Sequence, residues 1–184
     1  MAPDARLAKL LNHIAACHSA VLPGGRLALY AGADLIGYLK PDLAARLTAA
    51  GALSSDGKRA TLTKSALPRL TGLAAAAGIR LRGEIFDVRA TVEGPVLATL
   101  DRGALPDFGV IGVGVHLNGL VRRADGLHLW VGKRAADKKL DPGKLDHLVA
   151  GGVPAGFSAL DTLIKEAEEE ASLPAELARQ AVPI

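Results

Sequence analysis

Leu7, Leu10, Leu11 and Ile14 recur at helical spacing after Pro3-Asp4, so the chain is expected to open on an amphipathic helix. Cys17 continues its apolar face and is expected in the core. Pro23-Gly24-Gly25 ends that region, and Leu27 to Tyr30 starts a strand. Lys40-Pro41-Asp42 predicts a helix start, with Leu43 and Leu47 as its buried positions and Gly51 near its end. Asp56-Gly57 is a hairpin signal between Ser54 and a returning strand over Ala60 to Thr63. A further helix is expected from Ser65 to Ala77, with Pro68 in its first turn and Gly78 closing it.

Glu84 to Val92 predicts a strand with Ile85, Val88 and Val92 as its apolar positions, broken by Gly94-Pro95. After Leu105-Pro106-Asp107 the texture changes. Val110 to Val115, Gly119 to Arg123 and Leu127 to Gly132 are apolar and glycine-dotted, and the turn at Asp125-Gly126 makes a β-hairpin pattern. Trp130 is expected in the core, and His116 and His147 as packing or hydrogen-bonding residues. A boundary near Asp107 therefore divides the chain into residues 1–107 and 108–184.

In the stretch Gly151 to Leu173, a glycine-rich turn leads into a helix. Glu166, Glu169 and Glu170, at i, i+3 and i+4, fall in one sector of it. Leu160, Leu163, Ile164, Ala167 and Ala171 form the neighbouring apolar stripe, while Glu168 points to the other flank as solvated charge. Three like charges so close repel one another, and a divalent cation would turn that repulsion into a binding site.

Composition narrows the setting. The chain has 184 residues, of which 49% are hydrophobic, enough for a packed core of Leu, Val, Ala and Ile. A formal charge of +3 is too small to argue for nucleic acid. Its distribution is more informative: seven Lys or Arg residues lie between Arg122 and Lys144, just before the acidic helix. A basic loop beside an acidic metal face suits a diphosphate with a bridging cation. Cys17 is the single cysteine, so no intrachain disulfide or cysteine-based zinc site can form, and a reducing compartment is expected. The N-terminal helix lacks a continuous apolar signal region, and no run approaches a membrane span. A soluble, cytoplasmic protein without a membrane partner is expected.

The spacing from Gly151 to Leu173 resembles the Nudix box: Gly, five residues, Glu, seven residues, Arg-Glu, an aliphatic, any residue, Glu-Glu, any residue, Gly, an aliphatic. Gly151, Glu166, Glu169, Glu170 and Leu173 match. Phe157 stands at the first Glu, Lys165 at Arg and Ser172 at the second Gly. The run KRAADKKLDPGKLDHLVAGGVPAG, with GVHLNGLV and EIFDVRAT upstream, is similar to one Nudix branch. Its members carry an N-terminal domain of uncharacterised function, and some are joined to thiamine pyrophosphokinase. That branch has a hydrophobic residue at the first box glutamate and begins its glutamate cluster with Lys-Glu.

The resemblance implies an α+β chain: an N-terminal mixed α/β accessory domain, then a Nudix-type α/β/α sandwich with a mixed sheet. Residues 108–184 are fewer than such a sandwich takes, so a C-terminally truncated form with weak turnover of its own is expected. The implied activity is Mg²⁺-dependent hydrolysis of a diphosphate linkage, with Mn²⁺ as a possible substitute, in an oxidised or damaged analogue of thiamine diphosphate. Glu166, Glu169 and Glu170 would hold the metal and activate water, and the Gly151 carbonyl would be a further ligand. Arg134, Lys138 and Lys139 are the candidates for gripping phosphate oxygens. Two rival readings stand beside this one: hydrolysis of another nucleoside diphosphate derivative, and a metal- or ligand-binding module without turnover.

Overall fold

The computed structural model describes residues 5–18, 21–137 and 141–184, and the fold is a mixture of helices with parallel and antiparallel strands. Helix α1 (Ala5–Cys17) forms where the apolar period predicts it. Leu7, Leu10, Leu11 and Ile14 are nevertheless all exposed. Cys17 is exposed as well, its thiol 3.3 Å from the His13 carbonyl, so it is no core residue. Among the described residues nothing covers that face of α1.

The first core is built on four strands and the helices packed over them. Strands β1 (Leu27–Ala31) and β2 (Asp34–Leu39) form a hairpin, and α2 (Pro41–Ala49) follows, with Pro41 in its first turn. Strands β3 (Leu53–Ser55) and β4 (Arg59–Leu62) form the predicted second hairpin. Its turn is tied by Asp56 Oδ1, which accepts from the backbone of Lys58 and Arg59. β4 pairs with β1 in parallel, giving the order β2-β1-β4-β3. Leu29, Leu39, Leu43 and Leu47 are buried between this sheet and α2 and α3 (Leu70–Ala76). The helix expected from Ser65 begins instead as a 3₁₀ turn, Leu67–Arg69, with Pro68 in it, ahead of α3.

Strands β5 (Ile85–Val88) and β6 (Ala98–Asp101) make an antiparallel ribbon. Here the predicted apolar face is corrected: Phe86 and Val88 are buried, whereas Ile85 and Val92 are exposed and the strand stops before Val92. At the end of β6, Asp101 is buried and accepts backbone N–H groups from Arg82, Gly83 and Gly103. Burial pushes this carboxyl's pKa up, but the backbone N–H donors, with that of Glu84 added, outweigh it and hold the group below the ordinary aspartate value. A 3₁₀ turn, Arg102–Ala104, then leads into α4 (Leu105–Phe108), whose Phe108 closes the first core.

Strand β7 (Gly114–Leu117) is followed by the predicted hairpin of β8 (Gly119–Arg123) and β9 (Gly126–Trp130). Short β10 (Gly132–Lys133) pairs with β11 (Leu145–Asp146), and β12 (Val149–Gly152) pairs antiparallel with β7. These are separate two-stranded ribbons where one mixed sheet is expected. Trp130 is 55% exposed, not core, because its ribbon has no cover among the described residues. Helix α5 (Ala159–Ala171) and α6 (Ala175–Ala178) pack with β12 into a second, smaller core around Val149, Ala167 and Ala178.

The two cores meet at the glycine turn. Ala155 N donates to Ile85 O at 2.7 Å. One strand earlier, the Phe86 ring lies over Gly152, where an added Cβ would come within 2.6 Å of its Cζ.

Candidate active site

Helix α5 has a well-defined start. Ser158 is its N-cap, the hydroxyl accepting from Asp161 N at 3.0 Å. Thr162 is buried one turn on, its hydroxyl donating to Ser158 O at 2.9 Å. That bond lets a polar residue take the buried position expected of Leu160, which is exposed. Ala167, Ile164 and Ala171 carry the rest of the buried stripe. The helix ends at Ser172 in a left-handed conformation, φ 51° and ψ 32°, the geometry that favours glycine at that place.

The far half of α5 breaks a simple rule of helix design. Glu168, Glu169 and Glu170 crowd the negative end of the helix dipole, and no basic residue shares the last turn. Such charges destabilise a helix by a few tenths of a kcal/mol each. Departures of this kind concentrate at functional sites.

Two of the glutamates turn onto consecutive residues of β12. Glu166 lies against Gly151, where an added Cβ would sit 2.6 Å from its Cδ and 2.9 Å from Oε1. Glu170 Oε2 accepts from Ala150 N at 3.1 Å. Glycine at 151 therefore lets a carboxylate close on the strand itself. Gly151 is also paired with Val115 in the β12–β7 ladder.

The third glutamate has a cationic partner. Lys165 Nζ is 2.7 Å from Glu169 Oε2 and 3.8 Å from Glu166 Oε1. The Glu169 hydrogen bond raises the Lys165 pKa above its ordinary value against the opposing effect of burial, and the charges of Glu166, Glu169 and Glu84 add to the rise. The ammonium thus shields two of the three carboxylates. As they stand, no group of three or more His, Cys, Asp or Glu among the described residues is gathered to hold a metal ion. Mutual repulsion fits the spread: Glu169 is held by Lys165, Glu170 by Ala150 N, and Glu166 lies against Gly151. The donor set nonetheless fits a hard divalent cation, being carboxylate oxygens beside bare glycine backbone.

Glu84 was not apparent from the sequence. It lies before β5, is salt-bridged to Arg102 at 2.7 Å, and its charge reaches Lys165 from the first core. No local motif signals it, because its relation to α5 depends on the docking of β5 at the glycine turn.

Among the predicted phosphate-gripping residues, Arg134 donates to Asp146 Oδ2 at 2.6 Å and sits at the β10–β11 ribbon. Lys138 and Lys139 lie outside the described residues. Asp146 has its pKa lowered, first by the Arg134 hydrogen bond and then by the His147 backbone N–H. His116 and His147 face each other, Nδ1 to Nδ1 at 2.8 Å, with rings edge to face.

Over 104 residues, 56% of the chain, the protein is 45% identical to Nudix hydrolase 20, chloroplastic, of Arabidopsis thaliana. Over the same length it is 43% identical to Nudix hydrolase 24, chloroplastic, of that plant. The chain is similar to Nudix hydrolases over half its length. A third relative is an uncharacterized protein of Saccharomyces cerevisiae, 33% identical over 76 residues, 40% of the chain. The matched segment spans 28% of each plant protein and 22% of the yeast one. No protein-family model matches the chain. Among the described residues no helix is long and apolar enough to cross a membrane.

Proposed function

We propose that this chain carries the metal-binding glutamates of a Nudix hydrolase and serves Mg²⁺-dependent hydrolysis of a diphosphate linkage. The observation that supports this most is the convergence of Glu166 and Glu170 on Gly151 and Ala150, with Lys165 holding Glu169 one turn away. The substrate proposed is an oxidised or damaged analogue of thiamine diphosphate, from the resemblance of the run Lys133 to Gly156. The lone Cys17 supports a reducing, cytoplasmic setting.

Glu166, Glu169 and Glu170 would hold the cation, with the Gly151 carbonyl as a further oxygen ligand. Mg²⁺, when bound, neutralises phosphate charge and polarises phosphorus. The protein's own part is to position and to move a proton. The same three glutamates divide metal ligation and proton acceptance between them: one of them takes the proton of the attacking water, and the leaving phosphate carries away the bond's electron pair. Lys165, which holds Glu169 and lies near Glu166, would supply a compensating positive charge beside the site. Arg134, Lys138 and Lys139, in the basic run, are proposed to meet the outer phosphate oxygens.

The test is monophosphate release by the purified protein with and without Mg²⁺, across thiamine and nucleoside diphosphates. Release that needs Mg²⁺ and falls by roughly 10²-fold or more in Glu169→Gln or Glu170→Gln supports the assignment. Variants as fast as the wild type would overturn it.

A further inference from the structure

Strand β5 and the turn before α5 do not close fully on each other. Between them lies a cavity of about 230 Å³. The first core lines it with Phe86, Asp87 and Arg89, and the second with Val153, Phe157 and Ala159. Phe86 is a fixed floor, buried and seated on Gly152. Phe157 is its opposite, a large apolar side chain on a tight turn left 49% exposed. Asp87 and Arg89 give the wall an ion pair: Arg89 holds Asp87 Oδ2 at 2.8 Å, and the two side chains are 18% and 29% exposed. Arg89 is itself anchored by the Gly94 carbonyl.

We infer that this cavity is the ring pocket of the substrate, and that it takes a heteroaromatic ring bearing an amino or ring N–H group. Two phenyl rings offer a flat ligand stacking and edge contacts. Asp87, oriented by the Arg89 ion pair, accepts a hydrogen bond from the ring's donor. An aliphatic or donor-free group would cover that ion pair without adding a hydrogen bond to it. Size sets a further limit. The cavity is smaller than the roughly 300–1,000 Å³ of sites for drug-sized ligands, so it holds one ring system and not a whole nucleotide.

The diphosphate then lies outside the cavity along α5. Glu166 is seven residues beyond Ala159, roughly 10 Å along the helix axis. This placement of the phosphates rests on the hydrolase reading; the ring pocket itself does not. Phe157 gains a role in this arrangement: the residue that departs from the box pattern is the one that makes the rim apolar.

The experiment is calorimetric titration of the purified protein, in Mg²⁺, with thiamine diphosphate, ADP and inorganic diphosphate. The expected result is that at least one ring-bearing ligand binds ten-fold or more tightly than inorganic diphosphate. Phe157→Ala and, separately, Asp87→Asn should each erase most of that ratio, while binding of inorganic diphosphate changes less than two-fold. Phe157 is exposed, so its variant should keep the wild-type melting temperature. Equal binding of all three ligands, no binding by any, or a ratio untouched by both substitutions overturns the ring pocket. Product release measured on the same samples separates the two ideas. A retained ratio without turnover removes the hydrolase reading and leaves the pocket, and turnover with an insensitive ratio does the reverse.

Discussion

Glu166 occupies the space that a side chain at Gly151 would need: an added Cβ would sit 2.6 Å from Glu166 Cδ. A strand residue and a helix residue fifteen positions apart are thus fitted to each other with no methyl group to spare. Gly151→Ala should push the carboxylate off β12. The expected cost is about 1–3 kcal/mol of stability and roughly 10²-fold in turnover from misplacement alone. Denaturant melts and Mg²⁺-dependent product release check the two effects separately. An alanine variant with wild-type turnover would show that the close fit has no catalytic consequence.

Gly152 makes the same kind of fit on its other neighbour, the ring of Phe86. Gly152→Ala should loosen the contact between the two cores and destabilise the protein by about 1–3 kcal/mol. Adding Phe86→Leu removes the clash, so the double variant should be more stable than the sum of the single changes predicts. A double-mutant cycle measured by denaturation reads this directly, and strict additivity would count against the contact.

Lys165 competes with a divalent cation for Glu169 and Glu166. Lys165→Gln should therefore bind Mg²⁺ or Mn²⁺ more tightly, by several-fold, with the largest gain at low ionic strength. Calorimetric titration measures it. Weaker cation binding in the variant would mean that the lysine orients the carboxylates more than it shields them.

Asp101 should make stability pH-dependent on the acid side. Its folded pKa lies below the unfolded value of about 3.9, so its contribution is complete above that value. It is lost as pH falls through the lower, folded value. Asp101→Asn sets an amide N–H₂ against backbone N–H donors and should cost about 2–4 kcal/mol at neutral pH. The variant's melting temperature should also vary less between pH 5 and pH 2 than that of the wild type.

Much of the first core is legible from period and punctuation. Leu43 and Leu47 are buried where Lys40-Pro41-Asp42 starts a helix, and Asp56-Gly57 turns the hairpin it predicts. What escaped were consequences of partners. Leu7, Leu10, Leu11 and Ile14 form a helical stripe, but a stripe does not reveal whether anything covers it. The phase of β5 differs from the apolar pattern because Phe86, not Ile85, meets Gly152, a contact between residues far apart in the chain. At the candidate site, spacing alone puts Glu166, Glu169 and Glu170 in one sector of α5. It cannot show that Lys165 takes one of them, that Ala150 N takes another, or that Glu84 lies close enough to act on the lysine. Those depend on how β12 and β5 dock.

The most direct measurement is titration of the purified protein with Mn²⁺, following the free ion by electron paramagnetic resonance. The three carboxylates predict binding that Mg²⁺ displaces and that Glu166→Gln with Glu170→Gln abolishes, at an unchanged melting temperature. Mn²⁺ binding that survives both substitutions would contradict the assignment of these glutamates as the metal site.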